Sequence, residues 1–302
     1  MNRQAEDSGS PADPLNEVGN RGRAAAALVL GAAMWGSIWY PFRLLDAQGV
    51  GGLWAMFLAE VVATLVCVVV FRRQLSGLRW SWGLAGIGFF AGLCNVAFIV
   101  GLLQGEVMRV TLLMYLSPLW TVMLSRWLLG EQLNRHGMVV IALALAGALV
   151  MLWHPEFGAP WPSGPADWLG LLAGVAFAAY NVLVRKAEEW PVPIKSLVAL
   201  GGTVVVAGLL LPLGIEATPV AWSGSVITLL LITGGVLFVM APLVQYGLVR
   251  MPANRAIVIL LSELVFAALT AWWLAGETMG MQEWIGGGLI ALAAFKSSRM
   301  ES

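Results

Sequence analysis

Charge is scarce in this sequence. Of its 302 residues, 11% are Asp, Glu, Lys or Arg, against about 25% in an ordinary soluble domain. Histidine is nearly absent: His136 and His154 are the two copies, too few and too separated for a metal centre. The two cysteines, Cys67 and Cys94, sit inside apolar runs, so neither a disulfide framework nor a zinc cluster can be built from them. No excess of one charge exists either, with 17 basic and 17 acidic residues, which argues against a general nucleic-acid surface. Also missing are a Gly-rich phosphate loop carrying Lys, a His-Glu-x-x-His pair, and any Asp deep within an apolar run. An ATP-driven pump needs the first of these, and membrane-embedded enzymes need reactive constellations of the other kinds. A channel would need a charged ring or filter sequence, and none is evident. What is abundant is apolar surface: 59% of residues are apolar or aromatic, more than a water-soluble fold can hide and the opposite of a disordered chain.

A membrane helix needs about 20 mostly apolar residues. That length divides the chain into ten segments, at 24–45, 51–71, 81–104, 107–128, 136–153, 167–186, 196–213, 224–249, 254–275 and 282–298. Residues 1–23 are polar and are expected to form a disordered cytoplasmic tail. Of the 17 Lys and Arg residues, all but Arg43 and Arg109 fall on the side carrying both termini. Basic residues stay in the cytoplasm, so both termini are expected there. The outer loops carry Asp46, Glu106, Glu156, Glu216 and Glu277 instead.

The second half echoes the first. A shift of 146 positions puts Arg109 on Arg255, Gly101 on Gly247, Trp127 on Trp273 and Gly130-Glu131 on Gly276-Glu277. A slightly different shift matches Arg43 to Arg185. Five spans per half is an odd number, so matched segments run in opposite directions. The expected fold is all-α, an integral membrane protein of ten transmembrane helices in two inverted five-helix repeats, 24–153 and 167–298. Inverted repeats build many secondary transporters, with the substrate site near the midplane between halves.

These features resemble one family in particular. Trp35-Gly36-Ser37 in span one, Leu116-Ser117-Pro118 in span four, Tyr180-Asn181 followed by Arg185 in span six, and the two Gly-Glu turns are similar to the ten-span, EamA-type branch of the drug/metabolite transporter superfamily. The order and spacing of these motifs across the chain carry the resemblance, which covers nearly everything after residue 23. Within the branch the chain is most similar to bacterial exporters of aromatic and other neutral amino acids. The resemblance implies an inner-membrane location, outward transport, and a cavity surrounded by spans one, three, four, six, eight and nine.

Polar side chains in hydrocarbon are costly and turn toward protein or a wet cavity. Their distribution selects the same six spans. Spans five and ten carry no hydrogen-bonding side chain over Met138–Leu152 and Ile285–Phe295, and span seven has little beyond Thr203, so these three are expected to be scaffold. Helical spacing yields the substrate-binding candidates Trp35, Trp39, Tyr40, Asn95, Tyr115, Tyr180, Asn181, Gln245, Tyr246 and Glu263. Several have a plainer role open to them, since Asn and Gln also cross-link helices. Gly88–Gly92 and Gly170–Gly174 read as close-packing spacings. Trp80, Trp82, Trp161, Trp168, Trp222 and Trp284, near span ends, read as interfacial anchors. Pro118 and Pro242 fall mid-span, each freeing a carbonyl, at Met114 and Phe238, and are the hinge candidates. Glu60 and Glu263 are the deep carboxyl groups. Glu60 matches no motif of the family, and its helix has few other polar groups, so a structural role leads there. The expected partners are a small-molecule substrate and the lipid bilayer. No cofactor, metal or catalytic residue is expected. An amphipathic cavity suits neutral, preferably aromatic, amino acids, with organic cations or sugars as the alternatives.

Overall fold

The structure is a computed structural model and describes residues 14–153, 162–214, 222–276 and 278–299. His154, Glu156, Trp161, Glu216 and Glu277 lie outside the described residues. Thirteen α-helices follow one another among those described. They are α1 (Pro14–Ser37), α2 (Trp39–Asp46), α3 (Gly52–Phe71), α4 (Trp82–Gln104), α5 (Val107–Met114), α6 (Ser117–Leu129) and α7 (Arg135–Leu152), then α8 (Pro165–Lys186), α9 (Val192–Leu210), α10 (Gly224–Arg250), α11 (Ala253–Leu260), α12 (Glu263–Ala275) and α13 (Met281–Arg299).

Three pairs, α1–α2, α5–α6 and α11–α12, are single crossings with a break inside, so thirteen helices make ten crossings. Among the described residues, nine have the length and apolarity to span a membrane, from Gly22–Asp46 to Ala253–Ala275. The tenth, α13, is shortened as an apolar stretch by Gln282 and Glu283 at one end and Lys296 at the other. It lies along α7, where Gly147 and Gly286 meet so closely that a methyl group on either would touch the other's carbonyl at 2.8 or 2.6 Å. Side chains such as Leu65, Val69, Val205 and Leu209 stay exposed, as a lipid-facing surface requires.

Two helix starts differ from expectation. Residues 14–23, expected as part of a disordered tail, are helical in α1. Proline at a helix start loses no intrahelical bond, and the stretch contains no other proline. Span seven was expected from residue 196; α9 starts at Val192. Lys195 is fully buried, and its Nζ donates to the carbonyls of Ala187 at 2.9 Å and Val184 at 3.3 Å. A cation at a helix C-terminus meets unsatisfied carbonyls and the negative end of the dipole, which makes this site acceptable for a lysine.

The breaks in α5–α6 and α11–α12 are superimposable by sequence shift. Each pair has helices of 8 and 13 residues. Tyr115 N donates to Thr111 and Leu116 N to Leu113; Leu261 N donates to Ile257 and Ser262 N to Ile259. Both pairs end in a left-handed glycine, Gly130 and Gly276, each at φ 68°, a conformation that favours glycine.

Small residues set the helix spacing, as their sequence pattern predicts. Gly88 and Gly92 of α4 face Gly202 of α9, and Gly170 and Gly174 of α8 face the Val110 and Met114 carbonyls of α5. The exposed tryptophans Trp80, Trp82, Trp168, Trp222 and Trp284 lie within a few residues of helix ends.

Candidate functional site

A cavity of about 90 Å³ lies between the two halves, near the midpoint of the helices that surround it. The first half contributes Gly31 and Trp35 from α1, Glu60 from α3, Ala91, Cys94 and Asn95 from α4, and Met114 from α5. The second half contributes Phe177 and Tyr180 from α8, and Ala199, Leu200 and Thr203 from α9. Met240, Ala241 and Val244 from α10, Leu260 at the end of α11 and Glu263 at the start of α12 complete the wall. Aromatic rings, methionines and small aliphatic groups make most of the surface. Among the described residues, no Lys, Arg or His lines it.

Hydrogen bonds tie the wall together across helices. Asn95 Nδ2 donates to Thr203 Oγ1 at 3.0 Å, joining α4 to α9. Gln245 Nε2 donates to the Tyr180 hydroxyl at 2.6 Å, joining α10 to α8. The Tyr115 hydroxyl donates to Glu263 Oε1. Tyr115 sits in the break between α5 and α6, and Glu263 is the first residue after the break between α11 and α12, so this bond joins the two repeat-related breaks. Glu60 is 3% exposed, and its Oε2 is buried without a hydrogen-bond partner. The two carboxyl groups of the cavity thus differ: Glu263 is held and Glu60 Oε2 is not.

Of the ten substrate-binding candidates, the structure brings Trp35, Asn95, Tyr180 and Glu263 to the cavity wall. Tyr115 and Gln245 stand one hydrogen bond behind it. Asn181 is fully buried away from the wall, with both side-chain polar atoms unpartnered. Trp39 and Tyr40 lie past the turn at Ile38. Trp39 Nε1 donates to Thr270 Oγ1 at 3.0 Å and its ring meets Tyr40 edge-on. The Tyr246 ring lies under the Arg250 guanidinium at 3.8 Å, away from the wall. The hinge candidates differ from one another. Pro118 is the second residue of α6, just past a break, whereas α10 runs without interruption through Pro242. The Met114 carbonyl packs against Gly174.

Sequence reasoning missed two contributors. Span two supplies Glu60, and span seven, expected as scaffold, supplies Leu200 and Thr203. Thr203 was visible as the polar group in the middle of its span, and Asn95 is its cross-helix partner.

A family model describing the EamA-like transporter family matches residues 22–153 and again 164–299. The chain belongs to the EamA-like transporter family. The double match falls on the two halves of the fold. Among relatives of this EamA-like protein, an uncharacterized transporter of Archaeoglobus fulgidus is 27% identical over 274 residues, covering 88% of this chain and 92% of that one. The uncharacterized transporter PA0485 of Pseudomonas aeruginosa is 30% identical over 132 residues, 44% of this chain and 39% of that one. A solved crystal structure shares the fold, with a TM-score of 0.74 at 21% identity over 91% of this chain and 96% of that chain.

At both ends of this EamA-like bundle, polar contacts cross between the halves. On one face, Arg109 Nε of α5 pairs with Asp167 Oδ2 of α8 at 2.7 Å, and Ser163 donates to the same oxygen through its N at 2.8 Å and its Oγ at 3.0 Å. Arg109 was one of two basic residues found on the side otherwise free of them, and Asp167 neutralises it. On the other face, Glu131 Oε1 accepts from Ala253 N at 3.1 Å and lies 4.0 Å from Arg185 Nε, while Ser125 Oγ donates to Asn254 Oδ1 at 2.9 Å. A second hollow of about 190 Å³, lined by Glu131, Asn134, Asn254, Arg255 and Ser297 among others, lies at this face. It is larger than the central cavity, but it sits at helix ends and not between buried carboxyl groups at mid-membrane depth.

Proposed function

We propose that this membrane transporter exports a small amphipathic molecule carrying an ammonium group, with neutral aromatic amino acids as the leading class, by alternating access of its two halves. The observation that carries the substrate class is the cavity wall: aromatic rings beside two carboxyl groups, with no basic side chain to balance them. An apolar ring gains about 0.5–1.5 kcal/mol from each aromatic neighbour beyond simple burial, and Trp35, Phe177 and Tyr180 offer such neighbours. The ammonium has Glu60 and Glu263 to meet, and a substrate carboxylate has the Asn95 amide. The same wall favours a second reading, an organic monocation with no carboxylate at all. A phosphorylated sugar is disfavoured, because its charge has the wrong sign for this wall.

Basic residues on the face carrying both termini support cytoplasmic termini, and the family resemblance supports a bacterial inner membrane and outward movement. The cross-half contacts at the two faces, Arg109–Asp167 and Glu131 with Ala253 and Arg185, fit gates that open in turn. Pro118, at a helix break, and Pro242, which frees the Phe238 carbonyl, serve as flexible points in such a cycle.

Counterflow in liposomes tests this function. Purified protein is reconstituted without ATP, the vesicles are loaded with unlabelled phenylalanine, and entry of labelled phenylalanine is followed. The expected result is saturable entry, accelerated by the internal load and competed by phenethylamine but not by glucose 6-phosphate. Entry linear in concentration, with no acceleration, rejects a transporter cycle. Acceleration by sugars alone rejects the substrate class.

A further inference from the structure

The cavity holds a carboxyl group that the proposed function uses only as a counter-charge. Glu60 is at the wall, almost fully buried, with Oε2 lacking a hydrogen-bond partner. An ionised carboxylate in a low-dielectric site is costly without a compensating positive charge. That charge has no source in the wall. The titratable groups around the cavity are Cys94 of α4, Tyr180 of α8 and Glu263 of α12. Helices α9 and α10, which pack against α3, present Leu200, Thr203, Met240 and Ala241 there, none of them titratable. The charged residues of the other helices packed on α3 are Arg43 and Asp46 of α2, both exposed. Lys195 of α9 is committed to the α8 carbonyls, and Arg250 ends α10. Glu263, by contrast, is held by Tyr115.

From this geometry we infer that Glu60 makes the transporter a proton exchanger: an ammonium group and a proton occupy the same carboxyl group in turn. When the ligand enters, the Glu60 O–H bond breaks, the proton leaves to water, and the carboxylate forms an ion pair with the ammonium. When a proton re-enters, the ion pair is lost and the ligand departs. One positive charge replaces another, so the carboxyl group is never left buried and uncompensated. An inward proton gradient then drives outward movement of the ligand. This inference rests on the proposed ammonium-bearing substrate.

Proton release on binding, measured with phenethylamine in weakly buffered detergent solution using a pH indicator, tests it. The wild-type protein should release about one proton per ligand bound, and its affinity should rise about tenfold per pH unit while Glu60 is protonated in the empty state. Glu60→Gln should bind without proton release and with no pH slope, whereas Asp46→Asn, at an exposed carboxylate of α2 outside the wall, should keep both. Binding by the wild type without release, or equal release by wild type and Glu60→Gln, overturns the inference and leaves the substrate class standing. Absence of binding of both phenethylamine and phenylalanine overturns the substrate class and the inference with it. Should Glu60→Gln fail to fold, Glu60→Asp decides: a displaced pH dependence supports the role of this carboxyl group, and an unchanged one overturns it.

Discussion

The two broken crossings, α5–α6 and α11–α12, reach the same geometry by different chemistry. In the first, Pro118 stands just past the break and has no N–H to continue a helix. In the second the matching residue is Leu264, whose N donates to Leu261 at 3.2 Å, and Ser262 Oγ donates to the Ile259 carbonyl at 2.6 Å. A hydroxyl that bonds back to its own helix competes with the backbone ladder. Yet the break lies at the same register in both halves. Its position therefore follows from what the crossings pack against, and the local residue only makes it inexpensive. Gly174 of α8 receives the Met114 carbonyl at the first break, and Gly36 of α1 receives the Glu263 carbonyl at the second. Each break presents backbone to a glycine on a helix of the same wall.

The glycine positions offer the strongest way to break this correspondence. A methyl group at Gly36 would meet the Glu263 carbonyl, Ala267 N at 2.9 Å and Phe266 Cβ at 3.0 Å. At Gly174 it would meet the Met114 carbonyl at 2.6 Å and Met114 Cα at 3.2 Å. Backbone yields little, so each Gly→Ala change should cost about 1–3 kcal/mol, with Gly36→Ala the worse. Thermal unfolding of the purified variants in detergent reads the difference. Equal stability of wild type and Gly36→Ala would show that the second break is not clamped by α1.

Severing the link between the breaks should act on function more than on folding. Tyr115→Phe removes the donor to Glu263, and an unsatisfied buried acceptor costs about 1–3 kcal/mol. Counterflow in liposomes should slow by about tenfold at equal amounts of folded protein. Unchanged counterflow would mean that the two breaks move without reference to one another.

The smallest effect is expected from the proline itself. Pro118→Ala restores an N–H where the Met114 carbonyl is already packed on Gly174, so the break should persist and stability change by less than about 1 kcal/mol. Hydrogen exchange of the amide restored at position 118 is the readout. Strong new protection there would show that α5 and α6 had merged and that the proline alone kept them apart.

Much of this architecture is legible in the sequence, because bilayer thickness fixes the length of an apolar run and lipid leaves little alternative to helix. The repeat shift of 146 positions also foretells the matching breaks. The site was harder to read. Neighbouring residues on a helix point about 100° apart, so Tyr180 can face the cavity while Asn181 faces the packed interior. Trp39 and Tyr40 were expected at the cavity by continuing a helix that in fact turns at Ile38. Glu60 sits on a helix with almost no other polar side chain, and a single residue defines no stripe. Its meaning appears only when α4, α8, α9, α10 and α12 are placed around it. Lys195 shows the reverse case: a charge just outside the expected span is buried, because another helix ends beside it.

Transport by this route requires one water-accessible cavity with this wall. Single cysteines at Trp35, Asn95 and Thr203, at Asn181, and at Ala144 and Leu289, in a background of Cys67→Ala and Cys94→Ala, can be probed in membranes with a small water-soluble thiosulfonate cation. The first three should react, and phenethylamine should slow their reaction, while Asn181, Ala144 and Leu289 positions stay inert. Labelling of Asn181 on a par with Asn95, or reaction at Asn95 and Thr203 that phenethylamine leaves unchanged, would contradict the cavity described here.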